Sequence, residues 1–251
     1  LLYLLFMEKS CVIIPCRFGW SRFNGKPLSI LNNKFLMQYP YEAAIKAKNI
    51  SEVFIATDDV KISTVCKKLK MNYVMTKRNH FTGSDRVAEA ITKIKKKYDI
   101  VINVQGDEPF ITNKEIEKCD RFIRRNKRFQ AVNGLARINK IEDAINAGVV
   151  KTVLNSLNEI IYFSRQAIPY PHVKVKSKVF YRQMGLYGFR LNALKIFREQ
   201  NPGPLEKCES VEMLRLIENR VNIKGFITSI NGPAVDTESD LKLASSLFNS
   251  R

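Results

Sequence analysis

Histidine, acidic charge and long apolar runs are scarce in this chain. It has two histidines, His80 and His172, and five cysteines, Cys11, Cys16, Cys66, Cys119 and Cys208. No C-x-x-C spacing occurs, so nothing supports a zinc-type metal centre. An odd number of scattered cysteines excludes a complete disulfide framework and reads as free thiols in a reducing compartment, so a cytoplasmic protein is expected. No apolar run approaches the ~18 residues of a membrane-spanning helix. The apolar stretch from Leu1 to Phe6 is too short for a signal-peptide core, and Met7 is the expected natural start. Stable membrane insertion is not expected. Repeats, low-complexity tracts and linkers are also missing, so residues 7–251 are expected to form a single domain.

Acidic residues number 24 against 42 lysines and arginines, a net charge of +18 over 251 residues. Two readings compete: an anionic partner, or lysines spread over solvated faces. The basic residues are scattered, and the densest run (Lys93, Lys95, Lys96, Lys97) falls at the end of an expected helix, where cations are favoured. No RNP motif, zinc-finger spacing or basic helix is present, so nucleic-acid binding is a remote alternative and no nucleic-acid partner is expected.

The first half alternates short apolar runs with helical periodicity. Cys11–Pro15, Val53–Thr57, Asn72–Met75, Ile100–Val104 and Gln130–Ala136 read as strands. Helical spacing appears from Phe35 to Ala47, where Pro40 marks either a helix start or a bend. It recurs at Ile62, Val65, Cys66 and Leu69, and at Val87, Ala90, Ile91 and Ile94. Thr76–Asp85 reads as a surface loop. Thr112 with Glu115 is a capping-box pattern, as is Thr237 with Asp240 before a final helix. In the second half, Val149–Leu154 and Glu159–Phe163 read as a hairpin. Tyr181–Phe189 and Val221–Ile230 read as strands, and Leu191–Arg198 and Leu205–Leu216 as helices. The expected fold is α/β: a mainly parallel mixed sheet with helices on both faces, in three α/β/α layers. Ligands of such sheets bind beyond the carboxyl ends of the strands, where Arg17, Asp58 and Asp107 fall.

Four constellations could carry chemistry. The loop after the first strand holds Arg17, Arg22 and Lys26 with Gly19 and Gly25, a cationic loop suited to phosphates. It is not a Walker loop, because five residues separate its glycines and Pro27 follows Lys26. Composition equally allows a solvated basic loop. Asp107, after the apolar run VINVQG, is placed either to hold Mg²⁺ or to cap a turn. Asp236, just before the final helix, could share a divalent ion with it or serve as a loop residue. Thr82-Gly83-Ser84-Asp85-Arg86 suits a base or phosphate contact, or a capped helix with a surface arginine.

Taken together, IPCRFGWSRFNGKPL, ATDD, MTKRNHFTGSDR, VINVQGDEP, YFSR, GLYGFR, PLEKCESVEMLR and VDTESDL resemble, in this order, the 3-deoxy-manno-octulosonate cytidylyltransferase (CMP-Kdo synthetase) family. The resemblance spans roughly residues 10 to 248. It implies the nucleotide-diphospho-sugar transferase (Rossmann-like) fold, with CTP and a 2-keto-3-deoxy sugar acid as substrates and Mg²⁺ as cofactor. It further implies a homodimer, whose interface is expected near residues 149–179. Arg17 and Lys26 would be catalytic and phosphate-binding, with Arg22 beside them. Asp107 and Asp236 would be catalytic and hold the metal. Ser84, Arg86 and Gln105 would contact the nucleotide, and Gln105, Gln183, Tyr187 and Glu212 the sugar. The chain departs from the family pattern at Gln183, where histidine is usual, and at Trp20, Asn24 and Thr82. A cytidylyltransferase of the same fold acting on a sialic-type sugar or an alcohol is the alternative reading.

Overall fold

The computed structural model describes residues 8–19, 23–170, 172, 180–230 and 232–249. Arg22 and Trp20 lie outside them, as does most of 171–179 in the expected dimer segment.

The chain opens with β1 (Ser10–Cys16), a short 3-10 turn (Lys26–Leu28) and a small hairpin of β2 (Ile30–Leu31) and β3 (Lys34–Phe35). Then come α1 (Gln38–Ile45), β4 (Ile50–Thr57), α2 (Val60–Lys68), β5 (Tyr73–Met75), α3 (Gly83–Lys93) and β6 (Ile100–Val104). Next follow α4 (Asn113–Arg125), β7 (Ala131–Arg137), α5 (Ile141–Ile145), and the hairpin β8 (Lys151–Leu154) and β9 (Ile160–Ser164). The remainder is β10 (Tyr181–Arg190), α6 (Leu191–Glu199), α7 (Pro204–Glu209), α8 (Leu214–Glu218), β11 (Ile223–Ile227) and α9 (Glu238–Asn249).

The main sheet runs β11, β7, β10, β6, β1, β4, β5, with β8 against β10 and β9 against β8. Along that main path β10 is antiparallel to both neighbours, and the other pairs are parallel. The sheet is covered on both faces, which is why its strands read as unbroken apolar runs. Val12, Ile14 and Cys16 of β1 point to the layer built with Ala44 of α1, Ile62 and Cys66 of α2 and Ile116 of α4. Cys11 and Ile13 point the other way, against Val87 of α3, Leu194 of α6 and Leu214 of α8. Each fully buried isoleucine contributes ~1.5–3 kcal/mol. The three expected layers are therefore present.

Topology fixes where a ligand can sit. From β1 the chain lays β4 and β5 on one side, then crosses to place β6 on the other. The strand order reverses between β1 and β6, which opens a crevice beyond their carboxyl ends.

Three local expectations change. The helix expected over Leu205–Leu216 is broken into α7 and α8, because Ser210 adopts a left-handed conformation at φ +51°. The loop expected over Thr76–Asp85 already contains the start of α3. There Thr82 caps the Asp85 N–H, and the Asp85 carboxylate accepts from the Thr82 N–H. At α4 only half of the expected box forms: Thr112 caps the Glu115 N–H, while the Glu115 carboxylate accepts from the Ser229 N–H. The Thr237–Asp240 box is reciprocal. Pro40 lies in the first turn of α1, where its missing N–H breaks no helical bond, so it marks a start rather than a bend.

Candidate active site

The crevice is a cleft of about 540 Å³. Pro15 and Arg17 line it from the end of β1, Gln105, Gly106 and Asp107 from the end of β6, and Lys26 and Asp236 from flanking loops. At Gly106 an added Cβ would sit 2.8 Å from Cys16 Sγ and 3.1 Å from the Pro15 carbonyl oxygen. The loop after β6 thus crosses the end of β1 at a distance that glycine permits. Gly25, at φ +71°, turns the chain so that Lys26 opens the 3-10 segment.

Lys26 is the focus of one end of the cleft. Its Nζ donates to Asp107 Oδ2 at 2.5 Å and to Asp236 Oδ1 at 3.0 Å. These residues come from three distant segments. The last two are joined by the Val235 N–H donating to the Asp107 carbonyl oxygen at 2.9 Å. Asp236 is further fixed because its N–H donates to Asp240 Oδ2, the carboxylate of the α9 capping box. Burial works against the Lys26 charge, but Asp107 and Asp236 outweigh it and push the ammonium up from its ordinary value. Two carboxylate oxygens thus converge on one cationic position at the mouth of the cleft. Among the described residues no cluster of three or more histidine, cysteine or acidic side chains forms a fuller metal cage. Two hard oxygen donors suit Mg²⁺, which keeps waters and substrate phosphates as its other ligands.

A second wall is α3 and the loop before it. Thr82, Gly83, Arg86 and His80 line the cleft there. Arg86 is buried and engaged: Nη1 donates to Thr76 Oγ1 and to the Lys77 carbonyl oxygen, and Nη2 pairs with Asp58 at 3.2 Å. Burial lowers its pKa, with Asp58 opposing. Ser84 does not line the cleft; its N–H and hydroxyl both donate to Glu212, at 3.0 and 2.8 Å. The pair lies one layer behind Gln105, whose Nε2 is 3.5 Å from Glu212 Oε1. Burial raises the Glu212 pKa, and burial with Glu212 raises that of Tyr187, which packs in the same region. Among the expected residues the cleft therefore gathers Arg17, Lys26, Arg86, Gln105, Asp107 and Asp236. Ser84, Glu212 and Tyr187 sit behind it.

The third wall comes from the second half of the chain. Gly148, Val150 and Arg165 line it, and the Gln183 N–H donates to the Val150 carbonyl oxygen at 2.9 Å. Sequence reasoning did not assign His80, Arg165 or Glu108. His80 and Arg165 lie inside the blocks MTKRNHFTGSDR and YFSR, so the blocks carried the signal without singling the residues out. Glu108 is buried beside Asp107 and accepts the Gly185 N–H at 2.9 Å; burial and Asp107 push its carboxyl up to about 7.

Fold and cleft find counterparts among known proteins. The chain is a cytidylyltransferase: residues 11–223 match the Cytidylyltransferase family. Two relatives, both 3-deoxy-manno-octulosonate cytidylyltransferases, refine this. The one from Parabacteroides distasonis is 37% identical, covering 98% of this chain and all of that protein. The one from Escherichia coli is 33% identical, covering 96% and 97%. A solved CMP:2-keto-3-deoxy-manno-octonic acid synthetase complexed with CTP superposes with a TM-score of 0.90 at 32% identity, covering 97% of this chain and 99% of that one. The chain therefore belongs to the 3-deoxy-manno-octulosonate cytidylyltransferase family. A 4-diphosphocytidyl-2C-methyl-D-erythritol synthase from Anaerococcus prevotii, 12% identical at a TM-score of 0.63, shares the fold.

Proposed function

We propose that the protein transfers CMP from CTP to the anomeric hydroxyl of 3-deoxy-manno-octulosonate and releases pyrophosphate, for lipopolysaccharide or surface-polysaccharide synthesis in the cytoplasm. The observation that carries the residue roles is the convergence of Lys26, Asp107 and Asp236 at the switch-point cleft. In this reading the anomeric hydroxyl oxygen bonds to the α-phosphorus as the bond from that phosphorus to the α–β bridging oxygen breaks; pyrophosphate leaves with the electron pair and the hydroxyl proton is released to water. Arg17 and Lys26 hold the phosphate charge. Asp107 and Asp236 would hold Mg²⁺, which would supply neutralisation of the phosphate charge there. Gln105 faces the cleft, with Glu212 and Tyr187 behind it, on the side assigned to the sugar. The reaction demands positioning and charge neutralisation more than covalent participation by the protein.

The test is pyrophosphate release from CTP, Mg²⁺ and 3-deoxy-manno-octulosonate. Release is expected; none with this acid or any related 3-deoxy-2-ulosonic acid would sink the reading. Asp107→Ala is expected to cut turnover at least ~100-fold with an unchanged circular dichroism spectrum. Normal turnover in that variant would remove Asp107 from the metal role.

A further inference from the structure

The third wall is held by a cation that the reading above does not use. Lys151, on β8, is fully buried. Its ammonium donates to three main-chain carbonyl oxygens: Asn146 at 2.8 Å, Val149 at 2.6 Å and Arg165 at 2.6 Å. An ammonium has three donors, so the set is complete. None of these acceptors is a carboxylate.

The acceptors belong to two separate pieces of the cleft. Asn146 and Val149 bracket Gly148 and precede Val150; Arg165 follows β9. A second tie joins the same pieces, because Arg165 Nη1 donates to the Ala147 carbonyl oxygen at 2.9 Å. Arg165 is in turn held from outside by the Glu209 and Ser210 carbonyl oxygens. A neutral apolar residue at 151 would take this donor from the Val149 and Arg165 carbonyls and leave the Asn146 carbonyl with only the Val149 N–H, and each lost bond to a charged donor is costly.

The charge matters too. Lys151 and Arg165 share one nearby carboxylate, Glu209, which accepts from the Arg165 N–H and the Ser164 hydroxyl. Two cations against one anion leave a positive charge behind this wall. At the other end Lys26 is paired with two acids, and Arg17 lines the cleft beside them. This positive charge lies behind the end where Val150 meets Gln183, the side assigned to the sugar.

We propose that Lys151 is a positioning residue for the acidic sugar: it gathers the 146–150 loop and Arg165 into one wall and biases that wall toward a carboxylate. This rests on the reading that the cleft takes CTP and a sugar acid.

The test compares full-length wild type with Lys151→Met in the pyrophosphate-release assay. The KM for 3-deoxy-manno-octulosonate is expected to rise about ten-fold, with the KM for CTP within about two-fold and kcat within about three-fold. An unchanged sugar KM overturns the proposal, including the case where only kcat and stability fall, which is what a merely structural role gives. A second measurement needs no variant. In wild type, amide hydrogen exchange over 146–150 is expected to slow on adding 3-deoxy-manno-octulosonate with CTP, beyond the effect of CTP alone. Equal exchange in both conditions also overturns it. Failure of wild type to release pyrophosphate would instead overturn the functional reading itself.

Discussion

Lys26 has a role that its pairing makes testable. Its ammonium and a magnesium ion would satisfy the same two carboxylate oxygens, of Asp107 and Asp236. The two cations therefore compete unless a phosphate draws Lys26 away. Lys26→Met is expected to lower kcat with CTP about 10²-fold, by removing a positioned cation from the proposed phosphate site. The same change should tighten Mg²⁺ binding without nucleotide, because two facing carboxylates lose their counter-ion. Isothermal calorimetry with Mg²⁺ checks this, and weaker binding in the variant would refute the shared-site argument. Glu89 is a second residue-scale case. Burial works against its charge, but Lys93, His80 and the Lys77 N–H outweigh it and hold the carboxyl down at about 2. A depressed carboxyl contributes stability that is present above its unfolded value of about 4.5 and lost as pH falls toward 2. Glu89→Gln should therefore cost about 1–3 kcal/mol at neutral pH, with the difference from wild type shrinking below pH 4.5. Urea denaturation across that range reads it directly.

At the scale of elements, the layer of α3, α6, α7 and α8 is bound by one buried arginine. Arg215 donates to Asp85 and to Glu206, each at 2.6 Å, and to the Phe197 and Gln200 carbonyl oxygens. Removing it strands two buried carboxylates. Arg215→Met is expected to cost roughly 3–5 kcal/mol by urea denaturation, and adding Asp85→Asn and Glu206→Gln should restore much of the loss. A small effect of the single change would mean that the carboxylates find water instead. This network also marks what the sequence made readable. β1, β4 and β6 were legible because strands buried on both faces need apolar residues at every position. The break at Ser210 was not: Leu205–Leu216 has helical spacing, and only the placement of Glu206 and Arg215 around Asp85 requires a turn between them. The β2–β3 hairpin was missed as well, although Asn32 and Asn33, both at positive φ, are its local signal. In the site, Lys26 stood out in a cationic loop with glycines, Asp107 at the end of an apolar run and Asp236 beside a capped helix. Lys151 and Arg165 did not, since carbonyl oxygens that converge only in the folded chain define their roles.

For the whole molecule, the exposed apolar residues are unevenly placed. Ile141 and Ile145 of α5, Leu157 in the hairpin turn, Ile161 of β9 and Tyr170 are 54–80% exposed, and all lie between residues 141 and 170. β9 pairs along one side with β8; the other side has the isolated bridge Glu159–Lys224 among the described residues. An edge strand with an exposed isoleucine invites pairing with another chain unless something covers it. The net charge of +18 disfavours indiscriminate association, so a partner there must offer a specific apolar match. The expected partner is a second copy of this chain. Sedimentation at micromolar concentration should report a dimer, and Ile161→Lys should shift it to monomer by placing two charges against an apolar contact. Gly148, Val150 and Arg165 of the cleft lie within this stretch, whereas Arg17, Lys26, Arg86 and Asp107 lie outside it, so the monomeric variant should keep its affinity for CTP if the interface serves assembly alone. A wild-type protein that sediments only as a monomer would instead assign the exposed stretch to another partner.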